Sequence, residues 1–115
     1  NFEQWIRFFL EAVSKAATDS LEAIQRLSAL HDTNIEKIPK TTRSKDNLRA
    51  VFDYIEQYPI IDIKRTAREL GVSYNTVATA VKRLVEIDIL KETTNAARNR
   101  VFAYEEYLGI LRKDT

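Results

Sequence analysis

A chain of 115 residues, 44% hydrophobic and with a net charge of +1, suits one domain, or a small domain with an added arm. The absence of cysteine excludes a disulfide framework and a thiolate metal site, and one histidine, His31, cannot build a metal site alone, so no metal is expected. No apolar run approaches the roughly 20 residues needed to span a bilayer and no signal peptide is recognisable, so no membrane partner and a cytoplasmic location are expected.

The first residue is Asn rather than Met, as expected of a piece of a longer chain. Residues 1–30 place Phe2, Trp5, Ile6, Phe9, Val13, Ala16, Ala17, Leu21, Ile24 and Leu27 on one helical stripe, which predicts a long amphipathic helix. Glu3 and Arg7, Glu11 and Lys15, and Glu22 and Arg26 are spaced for ion pairs on its solvated face. Phe8 lies off the stripe. With Trp5 and Phe9 it widens the apolar arc, so these three residues form a strip expected to face a partner surface. Thr33 to Ile38 extend this helix or add a turn to it, and Pro39 stops it, which sets an arm over residues 1–39 and a second unit over 40–115.

Lys40 to Ser44 read as a linker. Leu48, Val51, Phe52 and Ile55 then follow the spacing of a helix that Tyr58-Pro59 ends. After a short strand near Ile61, Asp62 is placed to cap a helix over 63–70 with Ile63, Ala67 and Leu70 on one face. Gly71 supplies a turn, and Ser73 caps a further helix whose inward stripe is Val77, Ala80, Val81 and Leu84. Asp88 stands where a left-handed residue is expected, before two strands over 89–93 and 100–104 joined by a polar loop. Tyr107, Leu108 and Leu111 predict a last helical turn or two. The fold class that follows is mainly α with a small β-hairpin: a winged helix-turn-helix preceded by a long amphipathic arm.

In a helix-turn-helix the second helix enters the DNA major groove with its N-terminal residues. Tyr74, Asn75, Thr79 and Lys82 are the expected groove-facing residues. Ser73 and Thr76 cap the helix and leave N–H groups that suit a phosphate. Lys82 and Arg83 are placed either to contact the backbone or to solvate the helix, and Arg98 and Arg100 suit a wing that meets the backbone or minor groove. Ala78 and Ala80 are short where many readers carry longer side chains, which argues for little sequence discrimination. Residues 1–39 carry four Lys and Arg against six Asp and Glu, net −2, and residues 40–115 fourteen against eleven, net +3. That bias supports DNA binding only weakly.

No catalytic constellation is visible: the carboxylates alternate with basic residues, no histidine partners them, and Gly71 and Gly109 cannot make a phosphate loop. NFEQWIRFFLEAVSKAA, GVSYNTVATAVKRLVEIDIL and TTNAARNRVFAYEEYLGIL resemble the C-terminal part of Fic family proteins. The resemblance covers nearly the whole chain and is most specific over Asn99 to Leu111. It implies that residues 1–38 belong to or extend from a helical Fic core, which typically transfers AMP from ATP to a protein hydroxyl, and that a winged-helix domain follows. The family's H-P-F-x-x-G-N-G-R motif is absent, so no catalytic role passes to any residue here. This piece is expected to be no enzyme and to hold no cofactor, with ATP expected only for the parent core.

Two functions are compatible with these residues. One is a DNA-binding, regulatory module acting on double-stranded DNA. The other is a protein-interaction module that docks on the missing Fic core, a second copy in a homodimer, or the target protein. A basic surface joining the second helix to the wing favours the first, and an apolar patch there favours the second.

Overall fold

Asn1 starts the first helix, α1 (Phe2–Ile35), by accepting the Glu3 N–H on its Oδ1 at 3.0 Å, which satisfies one of the donors a helix start leaves open. In this computed structural model, residues 1–39, 43–94 and 99–113 are described, with the side chains of 43–46 and 113 excepted. At 34 residues α1 is about 51 Å long at 1.5 Å per residue. It accounts for most of the 64 Å long axis of a molecule only 32 by 23 Å across. Its first seven turns project into solvent: Phe2, Trp5, Phe8, Phe9, Leu10, Val13, Leu21 and Ile24 are all exposed. None of the three expected i,i+4 pairs on the arm closes to ion-pair distance, consistent with freely solvated side chains.

The remaining elements follow in chain order: α2 (Arg43–Gln57), β1 (Ile60–Asp62), α3 (Ile63–Leu70), α4 (Tyr74–Glu86), β2 (Lys91–Glu92), β3 (Val101–Ala103) and α5 (Glu105–Lys113). The expected mainly α chain with a small antiparallel hairpin is the observed one. Asp62 caps α3 by accepting from Arg65 N at 2.8 Å, and Ser73 caps α4 by accepting from Thr76 N at 3.1 Å. Gly71 takes the left-handed conformation at φ 68°, which lets the chain reverse between α3 and α4 without a Cβ clash. Asp88 also lies in the left-handed region, at φ 62°, and redirects the chain from α4 into the hairpin.

The core lies where α2, α3 and α4 meet the sheet. Val51, Phe52, Ile55, Val77, Val81, Leu84 and Leu90 are all at most 1% exposed. Leu70, expected among them, is only half-buried, because it ends the last turn of α3 and packs on the rim of the cluster. The sheet runs β1-β3-β2, with Ile61 opposite Phe102 and Glu92 opposite Phe102 on the other side. Its strands are shorter than the expected 89–93 and 100–104. The N–H groups of Ile89 and Leu90 both turn back to the Leu84 carbonyl, at 2.9 and 3.2 Å, so they close the end of α4 and are unavailable to the ladder.

The arm joins this core through its last turns. Ile38 is buried in the cluster, and Leu30 and Ile35 pack against it. Asn34 is buried and donates through Nδ2 to the Tyr104 hydroxyl at 2.7 Å, while its Oδ1 has no partner among the described residues. His31 lies 2.6 Å through Nδ1 from Glu56 Oε2, with its ring 5.7 Å from that of Phe52. Burial raises the Tyr104 phenol to about 12. α5 closes over this junction against α1, and Tyr107 stacks on Tyr104 at 5.3 Å.

Candidate nucleic-acid interface

Helix α4 buries one face and leaves the other to solvent. The buried residues are those at the inward spacing, Val77, Ala80, Val81 and Leu84. The opposite face therefore carries Tyr74, Asn75, Thr79, Lys82 and Arg83, all exposed. The side chains of Asn75 and Lys82 make no hydrogen bond or ion pair among the described residues, and the Tyr74 phenol lies within electrostatic reach of Arg100. The Thr79 hydroxyl is already engaged, donating to the Asn75 carbonyl at 2.9 Å. Ser73 and Thr76 cap the helix and lie 2.7 Å apart through their hydroxyls, so what they leave at the helix start is backbone N–H groups beside a polar surface.

The hairpin stands beside this face. Tyr74, Ala78 and Lys82 of α4 share one groove with Glu92, Arg100 and Phe102 of the hairpin. Arg100 does not project freely from the wing. Its Nε donates to Glu92 Oε2 at 2.6 Å and its Nη2 to Glu92 Oε1 at 2.7 Å, a two-pronged pair, while its guanidinium carbon lies 5.4 Å from the centre of the Phe102 ring. Each partner biases the other toward its charged form: the guanidinium holds the Glu92 carboxyl below its usual range, and the carboxylate raises Arg100 above its own. Arg83 is paired more loosely, with Glu86 at 3.3 Å. Arg98 lies outside the described residues.

Of the expected basic side chains, Lys82 is therefore the one described that stands unpaired, and the positive surface from α4 to the hairpin is interrupted by Glu86 and Glu92. The Arg83 and Glu86 contact could be read from a spacing of three on a helix. That of Arg100 with Glu92 could not, because it depends on the hairpin register, in which Glu92 faces Phe102 and meets Arg100 diagonally. The groove floor is apolar, but Ile63 and Phe102 within it are buried, so the exposed apolar side chains beside the outer face of α4 reduce to Val72 and Tyr74. Trp5, Phe8 and Phe9 are exposed at 60%, 71% and 51%, far along the arm from this groove.

Among the described residues no group of three or more His, Cys, Asp or Glu side chains is placed to hold a metal ion, and no helix is long and apolar enough to cross a membrane. No protein-family model and no curated protein matches the chain.

Proposed function

We propose that residues 40–115 are a winged-helix module that binds double-stranded DNA and regulates a larger Fic-type protein, with α4 as the groove helix and the hairpin as the wing. The observation that carries this reading is the outer face of α4: Tyr74 and Asn75 at the start of the capped helix, and Lys82 two turns further on, are exposed beside Arg100 of the hairpin. Asn75 is the residue suited to a base edge, through a paired contact with adenine. Lys82 contacts phosphate, and Ser73 and Thr76 present the helix start to it. The short Ala78 and the occupied Thr79 hydroxyl leave discrimination between sequences small.

The parent protein in this reading contains a Fic core that uses ATP to transfer AMP, and the arm continues from it. Resemblance supports that part, through the sequences opening at Asn1 and ending at Leu111. A protein-docking role for the arm is favoured by a different observation, the exposed strip of Trp5, Phe8 and Phe9. Its partner is the missing core, a second copy or the target protein.

Titration of a fluorescently labelled duplex at low salt tests the DNA reading. Binding is expected with a dissociation constant on the order of micromolar and a slope of log K against log salt that steepens by about 0.9 for each phosphate contact. Asn75→Ala is expected to relax a preference at one base position, and Lys82→Ala to weaken all duplexes alike. No binding at protein concentrations on the order of tens of micromolar, where non-specific contacts are ordinarily populated, removes this reading and promotes docking on protein.

A further inference from the structure

We infer that Glu92 is a built-in competitor for the DNA phosphate, holding the wing arginine Arg100 until a backbone phosphate displaces it. The inference rests on the DNA reading above and specifies how that site is regulated.

A guanidinium fork accepts a carboxylate or a phosphate in the same two-pronged geometry, so the two anions exclude one another at Nε and Nη2. Glu92 occupies both positions, at 2.6 and 2.7 Å. The pair is at the surface, with side chains 26% and 48% exposed, so water screens it and exchange of partner is easy. The Phe102 ring, 5.4 Å from the guanidinium carbon, gives Arg100 a second contact that does not depend on the carboxylate. The pair also shares its groove with Tyr74 and Lys82, so a duplex seated on α4 brings phosphates close to it.

Two consequences follow from the charges. Before binding, Arg100 contributes almost nothing to the long-range attraction of DNA, because the adjacent carboxylate cancels its field. On binding, the displaced carboxylate stays near the phosphate and repels it. Glu92 therefore lowers affinity for any duplex.

Duplex titrations of the wild type, Glu92→Gln, Arg100→Ala and the double variant, each at several salt concentrations, test this. Glu92→Gln keeps the side chain's size and removes its charge. It is expected to tighten binding about 2- to 5-fold at low salt, the range expected for releasing one exposed ion pair. The salt slope is expected to change by less than about 0.9, the value of one phosphate contact, because Arg100 meets a phosphate in both complexes. Arg100→Ala alone is expected to weaken binding and to flatten the salt slope by about 0.9, the one phosphate contact it removes, and in the double variant to erase the gain. A hairpin loosened by loss of the pair would weaken binding in both single variants, opposite in sign for Glu92→Gln. If the wild type binds and Glu92→Gln binds no better, the competitor role is overturned while the DNA reading stands. Binding by Glu92→Gln where the wild type shows none supports both. Absence of binding by every variant overturns both.

Discussion

The arm and the core unit begin from the same kind of sequence signal and end differently. Ile24 and Ile55 both sit on helical stripes of apolar residues. Ile24 is 62% exposed, whereas Ile55 is completely buried, because α3 and α4 lie against α2 while most of α1 extends beyond the core cluster. Periodicity identifies the apolar face of a helix. What covers that face depends on residues elsewhere in the chain, or outside it. The two regions also differ in the surface they expose, apolar along the arm and polar on the outer face of α4.

The largest expected effect that sharpens this contrast is in the core. Leu84→Ala is expected to destabilise the unit by about 2–5 kcal/mol, since Leu84 is wholly buried, while Leu21→Ala on the arm is expected to cost less than about 0.5 kcal/mol. Denaturant melts measure both. A loss below about 0.5 kcal/mol for Leu84→Ala would contradict the core, and an equal loss at Leu21 would contradict the exposed arm.

The junction between the two regions comes next. Asn34→Ala strands the buried Tyr104 hydroxyl without its donor and is expected to cost about 1–3 kcal/mol. The same junction predicts a pH dependence. Because the folded state holds the Tyr104 proton up to about 12, against 10.0 ordinarily, the contribution is fully present below about pH 10 and is lost as pH rises toward 12. Ultraviolet titration is expected to show Tyr104 ionising above the ordinary tyrosine range, with Tyr104→Phe removing both that step and its share of the alkaline loss of stability. A Tyr104 that titrates near its ordinary value would mean that the arm does not close over it.

A smaller effect is expected at the turn on which α4 is mounted. Gly71→Ala forces a side chain into the left-handed region and is expected to cost about 1 kcal/mol, although open space surrounds the position. An unchanged melting midpoint would show that the turn relaxes without penalty.

The smallest effect on stability is expected from the strip itself. Replacing Trp5, Phe8 and Phe9 together by Ala is expected to leave the unfolding midpoint of the core unit unchanged and to abolish concentration-dependent association in sedimentation. If the unsubstituted chain sediments as a monomer at every concentration, with Trp5 open to quenchers, the strip does not pair with itself.

Much of the architecture was legible because its signals are local. Asp62 and Ser73 cap helices through contacts three residues on, Gly71 makes the expected turn, Asp88 takes the expected left-handed conformation, and the inward stripes of α2 and α4 are the buried ones. Such interactions need only the backbone of one or two turns, so the order of residues determines them. The candidate interface was legible in the same measure: the face of α4 follows from its periodicity, and Tyr74, Asn75 and Lys82 fall on it. Three contacts were decided by the tertiary structure alone. Arg100 meets Glu92 eight residues away, His31 meets Glu56 across 25, and Asn34 meets Tyr104 across 70. Each depends on a register, a packing angle or a helix docking that sums many weak contacts, and no spacing in the sequence encodes that sum. The state of Arg100 belongs to this second class: sequence supplies the cation, and the fold places a carboxylate in its fork.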